Sequence, residues 1–286
     1  MARRLMLPQT LGIVGLGAVG GSVAWDATQS GVPRVVGYSR STRDAVAAVK
    51  AGAVTGLMRD AAAVVEAADL VVFATPPADT LELLETLGPA MRERGVFGTD
   101  VTSIKVQVMR VAEAQALQEV FAGSHPLLGT HETGFTAARP SQLRGSVVYV
   151  TPLAGGSDAG REIEDFWSRA VGAHPVTIDA DRHDAMVAWT GQLPHVVAAT
   201  LAGALAKHGP AGVTHGRTAL EATRAASSSP EAWAEILIAN RRQVLEALRH
   251  FGGEVDALRE ALDEDNLAKV RRSLEAGAGW RRRFDE

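Results

Sequence analysis

The stretch Leu11-Gly12-Ile13-Val14-Gly15-Leu16-Gly17-Ala18-Val19-Gly20-Gly21-Ser22 decides the fold. Leu11 to Val14 is a short apolar run that reads as a buried strand, Val19 to Ser30 has a helical pattern, and Gly31 is placed to end that helix. Between strand and helix stands a GxGxxG at Gly15, Gly17 and Gly20. In such a setting the first glycine permits the tight turn, the second lets a pyrophosphate approach the backbone, and the third lets helix and strand pack closely. The diphosphate then meets unpaired N–H groups at the positive end of the helix. Gly15, Leu16, Gly17, Ala18, Val19 and Gly20 are therefore the expected dinucleotide cradle.

Immediately outward, Arg34 to Tyr38 reads as the second strand. An acidic residue about 20 positions beyond the glycines would hold the ribose 2′-hydroxyl of NAD. Ser39 and Arg40 occupy that place, with Arg43 close behind. A serine and two arginines suit a 2′-phosphate, so the pattern points to NADP, with NAD as the alternative.

The alternation continues along the chain. DLVVFA (69–74), Val96 to Asp100, Ser146 to Val150 and His174 to Ile178 read as strands; Asp79 to Arg92, Ile104 to Leu117 and Asp158 to Ala170 read as helices. Such alternation predicts an α/β Rossmann-type doubly wound, mostly parallel sheet. After about Asp179 strand signals stop. A small-residue-rich helix is predicted from Asp181 to Lys207 with Pro194 inside it, then a helix opened by Ser229-Pro230-Glu231 and broken at Gly252-Gly253. The expected division is 1–178 for the dinucleotide-binding domain and 179–286 for an all-helical one.

Composition narrows the function classes. The 286 residues give about two domains at roughly 150 residues each. With 46% hydrophobic and 22% charged residues the chain is not predominantly disordered. There is no cysteine, which excludes disulfides, thiolate metal sites and cysteine nucleophiles; no metal site is expected. A net charge of −4 without a long basic stripe gives nucleic acid little electrostatic purchase. No apolar run reaches membrane-spanning length. Arg3 and Arg4 ahead of Leu11 to Ala24 have the outline of a leader, but glycines at 12, 15, 17, 20 and 21 argue against one, so a cytoplasmic protein is expected.

Three side chains stand out. His125 follows a short apolar segment and so falls near the carboxyl edge of the sheet, where doubly wound folds bind ligands. Histidine is also the natural proton acceptor near neutral pH. His195 lies beside Pro194 on the apolar helix, where Asp184, Ala188, Gly191, Gln192 and His195 share one face by spacing. Polar groups on so apolar a helix need partners or a ligand. Arg224, set among small residues, suits a carboxylate if it lies in a cleft.

GLGAVGGS (15–22), ATPP (74–77), DVTSIK (100–105), GSHPLLGTHETG (123–134), HDAMVAWTGQLPHVVAATL (183–201) and SSPEAWAEILIANRRQVLEAL (228–248) together resemble the prephenate/arogenate dehydrogenase family, in order and over nearly the whole chain. The resemblance implies oxidative decarboxylation of prephenate or arogenate with hydride passed to a nicotinamide cofactor, in tyrosine biosynthesis. It implies that His125 is the catalytic histidine, with Ser103 near the same ring hydroxyl. His195, Gln192, Arg224, Thr130 and His131 fall on the substrate side, and Thr75 and Pro76 join the cofactor set. It further implies a homodimer through the helical domain. Many members have a Ser-His pair where this chain has Gly191-Gln192, and Thr-Glu-Lys where it has Thr130-His131-Glu132. Two other readings compete: a two-domain 3-hydroxyacid-type dehydrogenase, which would use a catalytic lysine on the helical side, and a non-enzymatic NADP-binding sensor.

Overall fold

A computed structural model describes residues 7–128, 133–210, 212 and 216–284. In chain order the first half contains β1 (Thr10–Val14), α1 (Ala18–Gln29), β2 (Arg34–Tyr38), α2 (Thr42–Lys50), β3 (Gly56–Leu57), α3 (Ala61–Ala67), β4 (Leu70–Phe73), α4 (Pro77–Arg94), β5 (Phe97–Asp100), α5 (Val106–Ala114), β6 (Ala122–Pro126), β7 (Val147–Pro152), α6 (Ser157–Phe166) and β8 (His174–Thr177). The helical half has α7 (Ala180–Val187), α8 (Leu193–His208), α9 (Arg217–Ala222), α10 (Pro230–Ala239), α11 (Arg241–Asp263) and α12 (Leu267–Arg281).

Five parallel strands lie in the order β3-β2-β1-β4-β5. The order reverses at β1, between β2 and β4, which opens a crevice at the carboxyl ends of β1 and β4. A parallel bridge between Gly98 and Phe121 carries the sheet on to β6; β7 then runs antiparallel to β6, and β8 parallel to β7. The doubly wound architecture expected from the sequence is thus present, with a reversed pair of strands at one edge.

Strand alternation builds the core on both faces. Leu70 and Val72 point into one cluster with Leu11, Ile13, Val35 and Trp167, whereas Val71 and Phe73 point into another with Met91, Val108 and Phe121. Central strands buried on both sides read as continuous apolar runs for this reason.

In the helical half, α7 and α8 form one rod interrupted by a π-helical turn at Ala188–Gln192. The widened turn comes just ahead of Pro194, whose nitrogen has no hydrogen to return to the preceding turn. Asp184, Ala188, Gln192 and His195 are buried, but Gly191, which spacing placed on the same face, is exposed. Ser229 caps α10 by accepting from the Ala232 N–H at 3.3 Å, as its sequence predicts. Two helix boundaries differ from expectation. The chain breaks at Asn240, while α11 runs unbroken through Gly252 and Gly253. Each glycine lowers helix stability by about 1 kcal/mol, which a 23-residue helix packed on α7, α8 and α12 tolerates. At Asn240 the side chain is instead drawn into a buried polar knot described below.

Candidate functional site

The glycine loop meets the three demands read from its sequence. Gly15 has φ of +99°, and a Cβ there would lie 2.2 Å from the Ala74 carbonyl oxygen. A Cβ on Gly20 would lie 2.0 Å from the Gly15 oxygen. A Cβ on Gly17 would meet nothing within 4 Å, so this position is open toward whatever the loop cradles. The N-cap of α1 is Gly17, which has no side chain to bond the helix start, and this leaves first-turn N–H groups available for an anion.

The loop borders a groove of about 550 Å³ that is also lined by Ser39, Arg40, Thr75, Pro76 and Asp79. The groove therefore brings together Gly15, Leu16 and Gly17, the end of β2 and the start of α4. Ala18, Val19 and Gly20 stand behind the loop as the first turn of α1. Arg40 pairs with Asp79 across the groove. Arg43 does not line this groove; it borders a neighbouring surface hollow with Val46 and Lys50. Arg59, which the sequence reading passed over, shares a second hollow with Ser39 and Arg40. No carboxylate stands at the end of β2, and the combination fits a nicotinamide dinucleotide.

Beyond β4 a buried polar cluster ties together the ends of β5 and β6. Asp100 accepts from the Ser124 N–H at 3.0 Å and the Thr102 N–H at 2.9 Å, and forms an ion pair with Lys105. Lys105 also donates to the Ser124 carbonyl at 2.7 Å. Both charged side chains are fully buried, so neither is tolerable without the other. Burial pushes the Lys105 ammonium below its ordinary range, and the Asp100 charge opposes that shift. The Ser124 hydroxyl shares a hydrogen bond with Thr99 at 2.6 Å and accepts from the Trp167 indole at 2.9 Å. The next residue, His125, is thereby held on a rigid strand end.

His125 is half-buried, and its Nδ1 lies 3.0 Å from Nε2 of His183. His183, fully buried, places its own Nδ1 2.8 Å from Oδ1 of Asp184. Burial pushes the proton affinity of His125 well below the ordinary imidazole range, and positive charge on His183 and Lys105 would push it the same way. His183 is also lowered by burial, with Asp184 opposing. The cluster thus contains a neutral imidazole at the carboxyl edge of the sheet.

Other expected site residues are distributed around this centre. Ser103 lies in the loop between β5 and α5, and its buried hydroxyl has no hydrogen-bond partner among the described residues. Gln192 accepts from Asn240 at 2.8 Å, while its Nε2 is likewise buried and without a partner among the described residues. Asn240 donates as well to the Asp184 carbonyl at 2.8 Å, which explains why the helix stops there. His195 is buried and stacked on Trp233, with ring centroids 3.6 Å apart. Arg224 is exposed, in a short 3-10 turn packed on α8. Thr130 and His131 lie outside the described residues. His183, Lys105, Asn240 and Trp233 were missed as site residues; the available signal was an adjacent His-Asp pair on an otherwise apolar helix, and an Asp and Lys bracketing the DVTSIK segment.

Comparison with known proteins now decides the family. The description "Prephenate dehydrogenase, nucleotide-binding domain" matches residues 24–177, and "Prephenate dehydrogenase, dimerization domain" matches 179–276. The chain belongs to the prephenate dehydrogenase family. It is 29% identical to a prephenate dehydrogenase of Bacillus subtilis over 96% of this chain and 76% of that one. It is 31% identical to a cyclohexadienyl dehydrogenase of Zymomonas mobilis over 88% of each. In fold it is similar to a crystal structure of prephenate dehydrogenase from Aquifex aeolicus in complex with hydroxyphenyl propionate and NAD+, with a TM-score of 0.89, 24% identity, and coverage of 96% and 98% of the two chains. As a prephenate dehydrogenase family member it is a nicotinamide-dependent dehydrogenase that performs oxidative decarboxylation in aromatic amino acid biosynthesis, and the 3-hydroxyacid reading is not favoured.

Proposed function

We propose that the protein oxidises prephenate or arogenate with loss of carbon dioxide, using NADP in preference to NAD. The observation that carries this reading is His125: an imidazole whose proton affinity burial lowers, near the carboxyl end of β6, on the same edge of the sheet that carries the glycine loop after β1. His125 would accept the proton of the substrate's ring hydroxyl, and a nicotinamide cofactor held at the glycine loop would supply the acceptor for the hydride of the same carbon. The developing carbonyl then draws in the electrons of the carbon–carboxylate bond, carbon dioxide departs, and the ring becomes aromatic. Ser103 offers to the same substrate oxygen a hydroxyl that has no partner among the described residues.

On the other wall, Gln192 presents an amide N–H and His195 an imidazole to the substrate, with Arg224 engaging a carboxylate. Thr130 and His131 are further proposed substrate contacts. Gly15 to Gly20 would hold the pyrophosphate, Thr75 and Pro76 would flank the cofactor, and Ser39 and Arg40, which line the groove where Arg43 does not, would favour the 2′-phosphate. Arg40 must exchange Asp79 for that phosphate.

The chain divides at 178/179 into a dinucleotide-binding half, which also carries His125 and Ser103, and a helical substrate-binding half. A homodimer through the helical half would cover Leu245, Leu262, Leu267, Leu274 and Trp280, large apolar side chains that are exposed in the single chain. Among the described residues no helix is long and apolar enough to cross a membrane. The test is turnover of the purified protein with prephenate or arogenate and either NADP or NAD, read as reduced cofactor. Turnover is expected with NADP and at least one substrate; none with any of the four pairs would reject the proposal.

A further inference from the structure

We infer that His183 and Asp184 are positioning residues that fix the tautomer of His125, leaving the lone pair at Nε2 to face the reacting hydroxyl. This rests on the reading of His125 as the base. The Asp184 carboxylate is surrounded by donors: Oδ1 accepts from the Lys105 N–H at 2.7 Å and lies 2.8 Å from His183 Nδ1, and Oδ2 accepts from the Val106 N–H at 2.9 Å. A carboxylate has only acceptors to offer, so His183 must carry its hydrogen on Nδ1. Burial keeps His183 neutral, which leaves a lone pair on its Nε2. His125 Nδ1, 3.0 Å away, then has to donate. In a neutral His125 with hydrogen on Nδ1, Nε2 is the acceptor, which is the state a proton-abstracting base needs.

The order of these contacts also spans the two halves of the molecule. His183 and Asp184 belong to α7, whereas His125 is the last but one residue of β6, and Lys105 and Val106 open α5. Asp184 therefore caps the N-terminus of a helix in the cofactor half while orienting a histidine against the base. Docking of the helical half sets the protonation pattern of a side chain in the other half. The charged groups around the pair are Lys105, Asp100 and Asp184, and Tyr149 packs its ring edgewise on His183 at 5.9 Å.

The tautomer can be read without turnover. Full-length protein labelled with 15N-histidine, its His125 signals assigned with His125→Asn, should show hydrogen on Nδ1 and none on Nε2 at neutral pH. His183→Gln places an amide oxygen near the lost acceptor and should keep this pattern, with kcat within about tenfold of wild type. His183→Phe removes the acceptor and should lower kcat by roughly 10²-fold, with cofactor KM unchanged and Nε2–H now populated on His125. Hydrogen on Nε2 of His125 in the wild type, or unchanged kcat and tautomer in His183→Phe, overturns the inference. If His183→Phe does not fold, the wild-type spectrum and His183→Gln still decide. A fully active His125→Asn would instead remove the base reading itself, whatever the spectrum shows.

Discussion

The glycine loop and the histidine cluster are built in opposite ways. The loop offers a ligand backbone and an absence of side chains: Gly17 leaves open space, and Gly15 and Gly20 let two elements touch. The cluster works with side chains gathered from β5, β6, α7 and Asn240, and nearly every polar atom in it is already bonded within the protein. The atoms left over, the Ser103 hydroxyl and the Gln192 amide nitrogen, belong to residues expected to meet substrate. A backbone site tolerates no added bulk, whereas a side-chain site tolerates no lost partner, and the two should therefore fail differently.

The largest effect is expected at the base. His125→Asn should lower kcat by about 10² to 10⁴-fold while leaving cofactor affinity, measured by fluorescence titration, unchanged. An equal loss of both would erase the distinction between the two regions. Lys105→Met leaves Asp100 charged and buried without its partner, and should destabilise the fold by about 3–5 kcal/mol in denaturant unfolding. A change within experimental error would mean the cluster is not held by that ion pair.

Intermediate in size is the response of the loop. Gly17→Ala should leave stability within about 0.5 kcal/mol, because its Cβ meets nothing, yet weaken cofactor binding roughly tenfold. Loss of stability with intact binding would place the dinucleotide elsewhere. Acid should affect the cluster but not the loop. Because burial lowers both His125 and His183 from 6.5, the unfolded chain binds protons first as pH falls, so stability declines below about 6.5. The acid limb of kcat/KM should likewise lie below that value, and a limb above it would contradict a neutral buried base. Smallest is Ser39→Asp, which should weaken NADP several-fold more than NAD through charge repulsion; equal effects would remove the phosphate preference.

The same contrast explains what could be read in advance. The loop is contiguous, its spacing follows from backbone geometry, and the strand–turn–helix around it is local, so the dinucleotide motif was legible from residues 11 to 38 and the doubly wound fold from the alternation that continues to Ile178. His125 was legible by its place at a strand end. His183 was not, because its meaning comes from a partner 58 positions away. Asn240 was hidden inside an apparently continuous helical period, and only its contacts with Gln192 and Asp184 show why the helix ends there. Gly252 and Gly253 misled for the converse reason: propensity marks a break, but packing along α11 outweighs it.

Carbon dioxide release measured alongside cofactor reduction, in one reaction mixture, tests the central claim most directly. One carbon dioxide is expected for each cofactor reduced, with both lost together in His125→Asn. Cofactor reduction without carbon dioxide would contradict oxidative decarboxylation and return the protein to simple hydroxyacid oxidation.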